Sequence, residues 1–143
     1  MEKYDALKLR VQLCFPLYAC AREAVKLYTP YLNELDLTYT QYIAMLVLWE
    51  YREISAREMG RLLYLDSGTL TPVLKSLESK GLITRCRSKD DERVLIVTLT
   101  EAGLALRDDA AGIPKEMTKL VNLSKDEAHQ LYDLLYKLLA QLD

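Results

Sequence analysis

Cys14, Tyr18 and Tyr28 fall on one side of a stretch patterned as a helix, and a thiol sharing a surface with phenols is equipped for redox chemistry. Cys14, Leu17, Tyr18, Ala21, Val25, Tyr28 and Leu32 stand at offsets 0, 3, 4, 7, 11, 14 and 18, a single stripe at helical period. A lone cysteine in such a stripe is ordinarily inert packing. Two features set this one apart. The chain holds ten tyrosines against one phenylalanine, so many hydroxyls need partners, and two of those tyrosines share the Cys14 stripe. Phenols that donate to sulfur favour the thiolate, the nucleophilic form. Along one helix Tyr28 stands about 21 Å from Cys14, so the two meet only if the first helices of two subunits cross antiparallel.

A second set of residues suits DNA. Leu63–Thr100 reads as a short helix, a polar turn at Asp66-Ser67-Gly68, and an amphipathic helix closed by Gly81. An alternating segment Leu82–Arg87, a charged tip Ser88–Arg93 and a second alternating segment Val94–Leu99 follow. That order is a winged helix-turn-helix, which predicts sequence-specific binding of duplex DNA. The second helix buries Leu70, Val73, Leu74 and Leu77, leaving Gly68, Thr71, Pro72, Lys75, Ser76 and Ser79 on the opposite arc. Ser67, Thr69 and Thr71 can bond base edges or phosphates, Gly68 permits close backbone approach, and Lys75 can meet phosphate or guanine. Pro72 is expected in the first turn with Thr69 as cap; a start at Asp66 would instead predict a distortion at Pro72. In the hairpin, Arg85, Arg87 and Lys89 supply cationic flanks. Asp91 stands two residues before Arg93 and can hold it extended, as insertion into a narrow A·T-rich minor groove requires; the competing reading is an inconsequential surface ion pair.

The net charge of -2 excludes indiscriminate coating of nucleic acid, but DNA binding needs only a local basic surface. Lys75, Lys80, Arg85, Arg87, Lys89 and Arg93 provide one. No apolar run approaches the ~18–20 residues that cross a bilayer, so no membrane partner is expected. The three cysteines, Cys14, Cys20 and Cys86, and the single His129 form no metal-ligand pattern. No metal and no cofactor are expected, and free thiols together with the lack of a signal-peptide pattern fit a reducing cytoplasm.

These groups are positioned by helices. The first is predicted over Leu7–Leu32, with kinks or a helix restart near Pro16 and Pro30. Thr38 with Gln41 caps a second, buried helix to about Tyr51, and Ser55 with Glu58 a third ending near Tyr64. Thr100-Glu101 opens a fifth, broken near Gly112-Ile113-Pro114. Ser124 with Glu127 caps the last, through about Leu142, with Leu131, Leu134, Leu135, Leu138 and Leu139 as its apolar stripe. The expected fold is mainly α with a small β-hairpin wing, a single domain over 1–143. Within it, 36–100 form the winged helix-turn-helix, and 7–34 and 101–143 are dimerisation helices. Long amphipathic helices of this kind need a partner surface, which a two-fold homodimer on a pseudo-palindromic operator supplies.

Asp91-Glu92-Arg93, five further residues and Leu99-Thr100 resemble the wing signature of MarR-family transcription regulators. Leu65–Pro72, Gln12-Leu13-Cys14-Phe15 with Leu17-Tyr18-Ala19-Cys20, and Leu37–Tyr42 resemble one branch of that family, the OhrR-like regulators that sense organic hydroperoxides. The resemblance runs from about Leu9 to the final helix. It implies a homodimeric repressor, not an enzyme, whose Cys14 meets Tyr18 and Tyr28 across the dimer, with Tyr39 near the same pocket. Oxidation of Cys14 by an organic hydroperoxide would then release the operator. Cys20 lies about 9 Å up the helix, too far for a strain-free disulfide. The oxidised sulfur is therefore expected to form a mixed disulfide with a small cellular thiol or to over-oxidise. Pro16 departs from the branch's pattern and is expected to bend the helix or tilt the thiol. The alternative on the same fold is reversible binding of a small apolar or phenolic ligand in the dimer-seam pocket, without cysteine oxidation. A thiol peroxidase is disfavoured for want of a resolving cysteine.

Overall fold

In the computed structural model, which describes residues 2–142, two 3-10 turns at Asp5–Leu7 and Leu9–Val11 precede the first long helix, α1 (Cys14–Glu34). This helix starts later than the predicted Leu7, at the first residue of the apolar stripe. The Gln12 side-chain amide donates back to the carbonyls of Ala6 (2.6 Å) and Lys8 (3.2 Å), holding a non-helical approach. Cys14 thereby becomes the first helical residue and Pro16 the third, where its missing N–H removes no helical bond. The restart expected near Pro16 is thus seen at Cys14, two residues earlier, whereas the helix runs continuously through Pro30. It ends in a Schellman motif: Asp36 adopts φ 54°, Leu37 N–H donates to Leu32 O (3.0 Å) and Asp36 N–H to Asn33 O (3.1 Å).

Side-chain caps set the next starts. Thr38 and Gln41 form a full capping box on α2 (Tyr39–Tyr51). Ser55 accepts from the Glu58 amide at the head of α3 (Ala56–Leu63), and α4 (Ser67–Ser79) follows across a tight turn. Between α2 and α3 lies a short strand that the sequence did not announce, β1 (Glu53–Ser55). Three residues are too few for a visible alternation; pairing with a distant strand creates this one. The wing strands β2 (Ile83–Arg87) and β3 (Leu95–Leu99) pair antiparallel, with Cys86 opposite Ile96, and β1 adds to β3 with Ile54 opposite Val97, giving the order β1-β3-β2. Gly81, at φ 76°, ends α4: its N–H donates to Glu78 O (2.9 Å) and that of Leu82 to Leu77 O (3.1 Å).

Met45, Leu48, Met59, Leu74, Leu77, Ile83 and Val97 are fully buried and join α2, α3, α4 and the sheet in one core. Thr100 caps α5 (Glu101–Ala110), whose first turn is pinned by the Trp49 indole N–H donating to Gly103 O (2.8 Å). A Cβ on Gly103 would overlap the Leu82 carbonyl oxygen and press on Leu99. Backbone cannot yield as a flexible side chain can, so Gly103→Ala is expected to cost about 1–3 kcal/mol. Thermal denaturation should show a melting temperature lower by roughly 3–10 °C.

The chain divides into two compact units, one reaching to Ile113 and the other running from Pro114. The remaining helices are α6 (Ile113–Leu120) and α7 (Lys125–Leu142), with the predicted break between α5 and α6 in place. Ser124 and Glu127 form a second reciprocal cap on α7. Leu131, Leu134, Tyr132 and Tyr136 of α7 are exposed. Among the described residues no helix is long and apolar enough to cross a membrane.

Candidate functional site

The two predicted chemistries occupy separate surfaces. On α1, Cys14 is solvent-exposed in the first helical position, with exposed Phe15 and Leu17 beside it. Tyr18 is also exposed, and the Arg22 guanidinium lies over its ring at 5.6 Å from the centroid. Tyr28 sits toward the other end of the helix and makes different contacts. Its ring packs edge-on against Tyr39 (5.0 Å between centroids) and tilted against Tyr42 (5.8 Å). Tyr42 continues the cluster to Trp49 at 6.4 Å. One chain therefore brings Tyr28 and Tyr39 together but leaves Cys14 and Tyr18 at the far end of α1. Tyr42 was read from sequence only as buried core; its three-residue spacing from Tyr39 on α2 is the signal that puts both on one helix face. Burial, with Tyr28 as neighbour, pushes the Tyr39 and Tyr42 phenols above their ordinary range. Both stay protonated hydrogen-bond donors at any physiological pH.

Ser67, Gly68, Thr69, Thr71, Pro72 and Lys75 are all exposed on α4 while Leu70, Leu74 and Leu77 face the core. The helix start differs from the expected one. Asp66, not Thr69, is the cap: its extended backbone lets the carboxylate accept from the Thr69 amide at 2.7 Å, and those hydrogen bonds hold its carboxyl below the ordinary range. Pro72 consequently lies in the sixth helical position, yet the helix continues without a break. Having no N–H, Pro72 leaves the Gly68 carbonyl without its i+4 partner. Pro72→Ala would close that bond, and is expected to raise the melting temperature by several degrees, for about 1–3 kcal/mol of added stability.

Two cations counted toward the DNA face are engaged by partners within the fold. Period-two alternation puts Arg85 on the same sheet face as buried Ile83. Its side chain is 20% exposed and donates to Glu78 Oε1 at 3.0 Å, while the Arg85 backbone N–H donates to Glu78 Oε2 at 2.9 Å. That pair lowers the Glu78 carboxyl's pKa and ties the wing to the end of α4. Lys80 donates to the Asp36 carbonyl and to Gln41 Oε1 (3.1 Å), and Ser76 accepts from Gln41 Nε2 (2.9 Å), so neither is free for DNA. Arg87 and Lys89 remain exposed.

The wing tip is ordered by its own hydrogen bonds, Ser88 N–H to Val94 O (2.8 Å) and Val94 N–H to Asp91 O (2.9 Å). Arg93 Nε donates to Asp91 Oδ1 (3.0 Å) and Nη2 to Oδ2 (3.2 Å), a bidentate fork that leaves the arginine side chain 91% exposed. The Asp91 carboxyl is held below its ordinary range by that pair. The fork is therefore present at neutral pH and lost only as pH falls through the lowered value.

An exposed helix N-terminal half beside a preorganised cationic wing on a three-stranded sheet defines a winged helix-turn-helix transcription regulator. Residues 26–110 match the family model described as transcriptional regulator SarA/Rot. The organic hydroperoxide resistance transcriptional regulator of Bacillus subtilis (strain 168) is 49% identical over 99% of this chain and 96% of its own length. Reduced AbfR bound to DNA superposes with TM-score 0.81 at 34% identity, covering 99% of both chains. The overoxidized AbfR bound to DNA gives 0.79 (33% identity, 99% of this chain and 100% of that one) and a disulfide-formed AbfR 0.64 (33%, 98% and 95%). A cysteine-to-serine mutant of MarR from E. coli with operator DNA gives TM-score 0.78 at 28% identity over 97% of this chain and 99% of that one. The chain belongs to the MarR-type transcription regulators, in the branch of the organic hydroperoxide resistance regulators.

Proposed function

We propose that this protein is a homodimeric, sequence-specific transcriptional repressor that leaves its operator when an organic hydroperoxide oxidises Cys14. The observation that carries the reading is an exposed cysteine heading the unpartnered face of α1, in a chain 49% identical to an organic hydroperoxide resistance regulator. The exposed apolar faces of α1 and α7 are the surfaces offered to a second copy. An antiparallel crossing of two first helices supplies each Cys14 with the Tyr28–Tyr39 cluster of its partner. In each subunit α4, through Ser67, Gly68, Thr69, Thr71, Pro72 and Lys75, enters a major groove. Arg93, with Arg87 and Lys89 beside it, follows into the adjacent minor groove of a pseudo-palindromic operator.

Oxidation begins when the Cys14 thiolate attacks one peroxide oxygen. The O–O bond breaks, the alkoxide takes up a proton and leaves as an alcohol, and sulfur is left as sulfenic acid. A small cellular thiol then condenses with it, forming a mixed disulfide and releasing water. Within one chain Cys20 cannot serve, since six residues of helix separate the sulfurs by about 9 Å of rise. AbfR has been crystallised on DNA in its overoxidized form, which favours the disulfide over over-oxidation as the releasing state. The test is an electrophoretic mobility shift on the DNA upstream of the protein's own gene, with cumene hydroperoxide plus cysteine added or withheld. Loss of the shifted band on oxidation, and its return with dithiothreitol, is expected. A band indifferent to treatment, or a monomer in sedimentation at working concentration, overturns the reading.

A further inference from the structure

We infer that Gln41 and Ser76 form the joint through which the redox state of Cys14 reaches the recognition helix α4; this rests on the hydroperoxide-sensing reading above. Gln41 is the one buried polar residue identified among those described, at 7% exposure. Burying an amide is unfavourable unless its bonds are made, and capping α2 occupies only part of this one. Its Oε1 accepts from the Thr38 amide at 3.1 Å, which completes the capping box. The same oxygen also accepts from Lys80 Nζ at 3.1 Å, and Nε2 donates across to Ser76 Oγ at 2.9 Å. Lys80 in turn grips the α1–α2 corner through the Asp36 carbonyl and, at 3.6 Å, the Asp36 carboxylate. Two corner residues, Asp36 and Gln41, thus hold the C-terminal end of α4 at Ser76 and Lys80, and Thr38 orients the Gln41 amide through the capping box.

The first turn of α2 has a second side. Tyr39 and Tyr42 pack there against Tyr28 of α1, and Tyr28 and Tyr39 are the phenols proposed to face the partner's Cys14. One rigid, capped turn therefore carries rings directed at the sensor on one flank and an amide bonded to the reading helix on the other. Apolar packing is non-directional and lets helices slide past one another; a buried hydrogen bond must follow or break. When the rings are displaced, the amide pulls on Ser76. That anchor lies nine residues from Ser67, so the pull acts about 13 Å from the end of α4 that meets DNA. A small rotation at the anchor becomes a larger shift of Ser67, Thr69 and Thr71.

Ser76→Ala removes the inter-helix bond while keeping the capping box and the lysine grip, and alanine is the strongest helix former. Operator dissociation constants are measured by fluorescence anisotropy for reduced protein and for protein treated with cumene hydroperoxide plus cysteine. Wild type, Ser76→Ala and Gln41→Met are compared. The ratio of oxidised to reduced dissociation constants is expected to fall by roughly threefold or more in Ser76→Ala. A merely structural bond would weaken binding equally in both states, and an unchanged ratio overturns the joint. If Gln41→Met fails to fold, Ser76→Ala decides alone. Absence of release in wild type overturns the sensing reading itself, and is seen in that arm before any variant is compared.

Discussion

Treatment with cumene hydroperoxide and cysteine is expected to leave a Cys14→Ser protein on its operator while removing wild type. For wild type the midpoint of DNA binding should move by about tenfold or more, within the range of ordinary allosteric coupling. For Cys14→Ser it should move less than about twofold, the scatter of such titrations near 0.4 kcal/mol. The argument is chemical. A serine hydroxyl cannot be oxidised to a sulfenic acid or joined to a thiol, and the side chain replaced is exposed, so the fold loses no core contact. Cys20 and Cys86 are also exposed and provide the internal control. Cys20→Ser and Cys86→Ser should respond to peroxide as wild type does, and release of Cys14→Ser by the same treatment would move the sensing role to one of them. Release of Cys14→Ser by a phenol or other small apolar ligand, without peroxide, would favour the ligand-binding alternative.

The second large effect belongs to the wing. Arg93→Ala should weaken operator binding at least ~30-fold, because about 1–3 kcal/mol is lost per subunit and a dimer carries two wings. Its melting temperature should barely change, since a surface ion pair contributes little to folding. Asp91→Ala keeps the charge but frees the guanidinium from its bidentate fork. The arginine must then be ordered on binding, and the loss should be smaller, about three- to tenfold, from side-chain entropy. An Asp91→Ala protein as impaired as Arg93→Ala would mean that the carboxylate does more than hold the arginine in place.

Features set by neighbouring residues were legible in the sequence. The Thr38–Gln41, Ser55–Glu58 and Ser124–Glu127 caps follow from side chains three residues apart, and the buried stripe of α4 from helical period. The Asp91–Arg93 fork has the same local origin. What escaped depends on chain brought from elsewhere, or on a contest between two local signals. β1 exists only because β3 arrives to pair with it. Thr69 lost the cap to Asp66, an equally good acceptor three residues upstream that lets the helix begin earlier. Arg85 and Lys80 read as surface cations because nothing in their own neighbourhoods marks Glu78 and Asp36 as partners that the fold brings close. Tyr28 and Tyr39 sit eleven positions apart in the chain, and only the α1–α2 corner makes their rings touch.

Pro72 makes the reading helix an incomplete one by design of its backbone. The Gly68 carbonyl belongs to an exposed residue and lacks the i+4 donor that Pro72 cannot supply, which leaves it open to water or, on the reading proposed above, to a donor on the duplex. Side-chain replacement at position 68 cannot erase that vacancy, because it arises four residues away from a missing hydrogen. Part of the helix's cohesion is thus held in reserve at the surface proposed to meet the duplex.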